Sequence, residues 1–75
     1  MNIQSVVKEL NSSINFVLKE LTIHSFPSHK GGVHIEIWNR SKNNPGVGIV
    51  NLTEEASKDK GIVLRNIKDL ITKLL

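Results

Sequence analysis

The run Val33-His34-Ile35-Glu36-Ile37-Trp38 alternates apolar and polar residues without a slip. A pleated strand sends successive side chains to opposite faces, so Val33, Ile35 and Ile37 share one face and His34, Glu36 and Trp38 the other. Such a strand needs apolar cover on its aliphatic face and neighbouring strands for its backbone hydrogen bonds. It is entered through Pro27-Ser28-His29-Lys30-Gly31-Gly32, a loop of turn-formers, and left through Asn43-Asn44-Pro45-Gly46. Val47 to Leu52 then reads as the return strand of an antiparallel hairpin with a long tip. On the other side, Leu21 to Phe26 reads as a short strand. Leu21, Ile23 and Ser25 would share one of its faces, Thr22, His24 and Phe26 the other, and Pro27 would end it.

The cover comes from both ends of the chain. Ile3, Val6, Val7, Leu10, Ile14, Val17, Leu18 and Leu21 follow one another at steps of three and four, the stripe of an amphipathic helix. The spacing predicts one helix from about Asn2 to Glu20, capped by Asn2. Asn11-Ser12-Ser13 is poor helix material, because these side chains compete for backbone hydrogen bonds. A second partition would end the helix near Leu10 and start a strand near Asn15; the periodicity favours the long helix. Toward the C-terminus, Ala56, Val63, Leu64, Ile67, Leu70, Ile71 and Leu74 form another stripe. Thr53 is placed to cap it, with Glu54 and Glu55 in the first turn, where the helix dipole favours acid. Gly61 marks either the true start of this helix or a kink after a first turn. The fold class expected is α+β: helix-strand-strand-strand-helix, an antiparallel sheet with both helices on one face, as one small domain over residues 1–75.

A chain of 75 residues buries only roughly 60% of the surface its unfolded form exposes, which leaves no room for an enclosed site. Any site is a surface, a groove or a short cleft. The absence of cysteine removes disulfides, zinc–thiolate centres and thiol nucleophiles. Small secreted domains usually rely on disulfides, and no signal-peptide pattern opens the chain, so an intracellular, cytoplasmic protein is expected. No apolar run approaches the ~20 residues of a membrane span. The net charge of +3 and pI of about 9.5 lean toward an anionic partner such as nucleic acid or an acidic protein surface. Seven acids mixed among ten bases also fit ordinary solubilising charge.

Several side chains carry possible chemistry. His24, His29 and His34 are spaced five apart, so along one extended strand they would alternate faces and not converge; no metal site is expected. His34 and Glu36 share a strand face, but two ligands do not make a metal site. His29 or His34 is a candidate lone general acid or base for RNA cleavage, where the 2′-hydroxyl supplies the nucleophile. Lys30-Gly31-Gly32 offers a cation beside accessible backbone N–H groups, and Lys58 and Lys60 precede the last helix; both suit phosphate, and both also fit a plain solvated loop. Trp38 lies on the face away from the aliphatic alternation, where it can stack on a base, anchor a protein contact or cover the far side of the sheet. No small-molecule cofactor is expected.

Taken together, Phe26-Pro27-Ser28-His29 before a strand, Lys8-Glu9-Leu10 in the first helix, Ser57-Lys58-Asp59-Lys60 before the last and Ile71-Thr72-Lys73-Leu74 at its end resemble the double-stranded RNA-binding domain. Phe26 stands where that family has a glycine, and Asp59 interrupts the lysine cluster. The resemblance implies duplex RNA as partner, with Glu9 and the His29–Lys30 loop toward the minor groove and Lys58 and Lys60 toward phosphates. Lys30-Gly31-Gly32-Val33-His34 and Lys60-Gly61-Ile62-Val63-Leu64-Arg65-Asn66-Ile67 are similar to segments of the HicA-type messenger RNA interferase toxins, which share that fold, and this implies His34 as the catalytic residue. Val33 is an extra residue before the histidine there. A third reading needs no motif. Small cysteine-free α/β chains also serve as inhibitors of a larger protein, phage-encoded anti-defence proteins among them, and Trp38 would then be the anchor.

Overall fold

A computed structural model of the chain describes residues 3–17 and 19–75, and the side chains of these except those of residues 14–17 and of His29. The proposed cap Asn2 and the stripe position Leu18 fall outside the described residues, and the side chains of Ile14 and Val17 outside the described side chains. Helix α1 spans Ile3–Val17 and is followed by strand β1, Leu21–Pro27. A short 3₁₀ turn, His29–Gly31, leads into β2, Val33–Asn39. Strand β3, Gly46–Leu52, precedes a four-residue helix α2, Glu54–Ser57, and helix α3, Lys60–Leu74. The α+β layout is as the pattern predicts, with one extra short helix.

Helix α1 runs straight through Asn11-Ser12-Ser13. Ser12 Oγ donates to the Lys8 carbonyl one turn back at 3.2 Å. The Asn11 carboxamide leaves its own helix for β1: Nδ2 donates to the Ile23 carbonyl and Oδ1 accepts from the Ile23 N–H, both at 2.8 Å. The side chain that weakens the helix locally is therefore spent on joining helix to sheet. Residues 19–20 form the turn into β1, so the helix stops short of Glu20.

The sheet has the order β1-β2-β3 with both pairings antiparallel. Leu21 faces Asn39, Ile23 faces Ile37 and Pro27 faces Val33; across the other seam Ile35 faces Val50 and Ile37 faces Gly48. Pro27 is the last member of its strand, where a missing N–H costs nothing. Helix α1 packs on β1, and α3 on β3 and β2. The core joins Val7, Leu21, Ile23, Val33, Ile35, Ile37, Leu52, Val63 and Ile67. Each such burial contributes about 1.5–3 kcal/mol against the entropy of ordering the chain. Gly48 sets the close approach of α3: a Cβ there would lie 3.1 Å from Leu70 Cδ2.

The turn between β3 and α3 resolves the question of Gly61. Thr53 Oγ1 accepts from the Ala56 N–H at 3.1 Å and caps α2. That helix stops at Ser57, and Asp59 caps a new one, its Oδ1 accepting from Gly61 N at 2.9 Å and Ile62 N at 3.2 Å. Gly61 thus lies in the first turn of α3 rather than inside a longer helix. At the far end, buried Asn39 donates through Nδ2 to the Leu74 carbonyl at 3.2 Å and accepts from Ser41 N at 3.0 Å. Among the described residues no helix is long and apolar enough to cross a membrane.

Candidate functional site on the open sheet face

Both long helices cover the same side of the sheet. The other side is formed by Thr22, His24 and Phe26 of β1, His34, Glu36 and Trp38 of β2, and Val47, Ile49 and Asn51 of β3, aligned by the register. Phe26 is 47% exposed, Trp38 41%, Val47 47% and Ile49 54%. Four large apolar side chains this open on one face make a patch, not isolated surface residues. The rings form a connected row. His24 stacks near Phe26 at 6.4 Å between centroids, meets Trp38 edge-on at 6.2 Å, and Phe26 lies 6.1 Å from His34. His24 and His34, ten residues apart, thus share this face through the register of β1 against β2. Phe26 and Glu36 lie between them, and among the described residues no three metal-ligating side chains come together.

A chain of hydrogen bonds crosses this face from β3 to β2. His34 Nδ1 faces Asn51 Oδ1 at 2.7 Å, and His34 Nε2 faces Glu36 Oε2 at 2.8 Å. Trp38 Nε1 donates to the other Glu36 oxygen at 3.0 Å. The Asn51 bond, then the Glu36 bond, raises the His34 pKa above its ordinary value. The His34 bond, then the Trp38 bond, lowers that of Glu36. With both ring nitrogens facing oxygens, the protonated ring donates twice. Neither nitrogen is left to take a proton from a substrate, so in this arrangement His34 orients Glu36, and Glu36 orients the indole.

The other expected residues lie elsewhere. Glu9 and Lys60 line one groove between α1 and α3, with Val6, Leu10, Ser13 and Leu64. Lys30 has the left-handed φ of 65° and shares a depression with Gly32, Asn51, Leu52, Thr53 and Glu54. Lys58 Nζ is 3.4 Å from Glu54 Oε1, an exposed pair that contributes little. The backbone of His29 lies in the 3₁₀ turn; its side chain is outside the described ones. Glu9 and Lys60 are thus brought together, and Lys30 and Lys58 flank Glu54. His34 and Trp38 stand on the opposite side of the sheet. In the interferase-like pattern, the His34 side chain therefore stands on the sheet face opposite the helix that carries Lys60.

Charge divides between the two ends of the fold. At the loop end, Lys30, Lys58 and Lys60 are matched by Glu54, Glu55 and Asp59. At the hairpin end, the Arg40 N–H donates to the Glu20 carbonyl at 2.9 Å, and Asn39 and Asn44 both donate to the Leu74 carbonyl. These contacts bring the chain segments that carry Lys19, Arg40, Lys42 and Lys73, all exposed, to one end of the fold, with Glu20 there and Asp69 one helical turn before Lys73. Arg40 also lines an open depression with His24, Phe26, Glu36 and Trp38. Sequence reasoning missed this cluster because its members are scattered along the chain and only topology assembles them. It missed Asn51 because the bond to His34 depends on hairpin register. No protein-family model, curated protein or solved structure matches the chain.

Proposed function

We propose that the protein binds single-stranded nucleic acid on the open face of its sheet, bases stacking on Trp38 and Phe26 and phosphates drawn to the basic end around Arg40. The reading is carried by one juxtaposition: an exposed aromatic row, its Trp38 ring held by a hydrogen bond to Glu36, shares a depression with Arg40. Every base has a π-face, and stacking on a protein aromatic is worth ~1–3 kcal/mol per base. Trp38 pairs with Thr22, four residues along β1 from Phe26, a separation of ~13 Å at ~3.3 Å per residue. The only acid on the face, Glu36, has both oxygens engaged by His34 and Trp38, so it repels phosphate little. RNA and DNA share this chemistry, and RNA is the partner that the family resemblances imply.

Trp38 is the only tryptophan and the chain has no tyrosine, so intrinsic emission reports on this face alone. Titration with single-stranded RNA, the same DNA sequence and duplex RNA is expected to perturb Trp38 with the single strands. Preference between the two strands identifies the natural ligand class. Trp38→Ala, followed by anisotropy of a labelled strand, should weaken binding by roughly 5- to 150-fold. No binding of either single strand at low salt overturns the proposal.

A duplex-RNA reading has one observation in its favour. Glu9 and Lys60 share a groove, and Lys30 and Lys58 flank Glu54, so the three expected segments adjoin. The equal count of acids and bases there weakens its attraction for phosphate. Retention of duplex that is lost in Lys58→Ala and Lys60→Ala but kept in Trp38→Ala would select it over the sheet face.

A further inference from the structure

We infer that β3 is the edge through which two copies of this chain pair, antiparallel and in register about Ile49, to make one six-stranded sheet. The inference does not rest on the nucleic-acid reading.

A three-stranded sheet has two edges, and here they differ. In an antiparallel ladder, alternate residues of an edge strand turn their N–H and C=O away from the sheet. On β1, Ile23 is such a residue, and the Asn11 carboxamide takes both of its groups. Pro27, at the end of the same edge, has no N–H to offer. At its middle that edge is taken up by the protein itself. The register fixes the other edge. Ile23 faces Ile37, so the Ile37 backbone groups turn toward Gly48 of β3. On β3 the groups of Val47, Ile49 and Asn51 therefore point outward. Among the described residues no backbone hydrogen bond from outside the ladder reaches them.

Exposed edges are normally guarded by lysine, proline, a bulge or a covering element. Residues 43–53 carry no charge at all, and within Gly46–Leu52 there is no proline. Val47 and Ile49 stand open beside the edge. The absence of charge is what selects a second copy as occupant. A two-fold interface sets each residue against its own kind or its mirror position, so a charged edge would repel itself. This edge has nothing to repel, and its middle residue, Ile49, belongs to the outward set. Full overlap of the seven-residue strand sets Ile49 opposite Ile49 of the second copy and Val47 opposite Asn51, with about six new backbone hydrogen bonds. The Val47 and Ile49 side chains of both copies then form one strip on the open face.

Sedimentation equilibrium on the full chain tests this. The expected result is a reversible monomer–dimer equilibrium that dilution shifts to monomer. Ile49→Lys and Ile49→Glu each place like charges on the two-fold axis and should weaken the dimer by roughly tenfold or more. Because the side chain is exposed, Trp38 emission and the urea midpoint should show the fold retained. Mixing the two variants should restore association as a one-to-one heterodimer. The inference is overturned by a wild-type chain that stays monomeric at every concentration, by a dimer that neither substitution weakens, by growth beyond the dimer, or by a mixture that fails to recover.

Discussion

Trp38 Nε1 donates to Glu36 Oε1 at 3.0 Å, from two residues along the same strand face. The same carboxylate receives His34 at its other oxygen, and His34 in turn meets Asn51 on the neighbouring strand. An exposed indole ordinarily turns freely about its side-chain bonds. Here its N–H is held by a carboxylate that also bonds His34, four residues away on the same strand face.

The signs of the two shifts define a pH window. The His34 pKa is raised above its ordinary 6.5, so its contribution to stability is full below that value and lost as pH rises through the folded pKa. The Glu36 pKa is lowered from its ordinary 4.5, so its contribution is present above that value and lost as pH falls through the folded pKa. The wild-type urea midpoint, relative to that of His34→Gln, is expected to fall as pH rises above 6.5 and through the raised folded pKa. Trp38 emission should change in the same range in wild type and stay level in the variant. A constant difference from about pH 5 to about pH 9 would mean that the imidazolium holds nothing in place.

Asn11 makes a second sharp prediction. Its carboxamide satisfies two backbone groups of Ile23, a core residue of an edge strand. Asn11→Ala removes a poor helix former, which on helix propensity alone stabilises α1 by a few tenths of a kcal/mol. It also strands both Ile23 groups, at ~1–3 kcal/mol for each one that water does not reach. The net effect should be destabilising, with faster hydrogen exchange of the Ile23 amide. A variant as stable as wild type would show that water replaces the side chain without loss.

Asn11 also marks where the sequence was readable and where it was not. The strands and helix faces were legible because a period of two and a stripe at three and four residues are imposed by burial. Ile35, Ile37, Val63 and Ile67 sit where the pattern predicts. Asn11-Ser12-Ser13 read as a weak point in α1, since propensity counts only local competition and Asn11 is bonded twelve residues away. The split between α2 and α3 was half legible: Gly61 signalled an interruption, while the cap itself is Asp59, read beforehand as a flaw in a lysine cluster. On the site, Trp38 and His34 were singled out from the alternation. Arg40 and Asn51 were not, because their roles arise from register and from the meeting of chain segments.

Neighbouring loop residues should respond with opposite signs. A Cβ on Gly32 would strike the Leu52 carbonyl oxygen, a backbone atom that cannot turn aside. Gly32→Ala is therefore expected to cost about 1–3 kcal/mol, the range of forced overpacking. Lys30 holds φ at 65° with a side chain attached, a conformation that costs an L-residue roughly 1 kcal/mol. Lys30→Gly relieves that strain, offset in part by the larger entropy of glycine in the unfolded chain, and should be neutral to mildly stabilising. Urea midpoints of the two variants decide the matter, and a marked loss of stability in Lys30→Gly would point to packing of the lysine stem.

The distribution of charge makes the salt dependence of binding diagnostic. Each phosphate neutralised on a single strand contributes about 0.7 to the slope of log affinity against log salt. Arg40 and Lys42 belong to the end where cations outnumber acids; Lys58 and Lys60 belong to the balanced end, where Lys58 is already paired with Glu54. Arg40→Ala and Lys42→Ala should therefore each reduce the slope measured with single-stranded RNA by about 0.7, and Lys58→Ala and Lys60→Ala should leave it unchanged. The reverse pattern would move the phosphate path to the helix side of the sheet. Stacking on Trp38 should persist at high salt, since it does not depend on counterion release, so Trp38→Ala should weaken binding by a similar factor at every salt concentration.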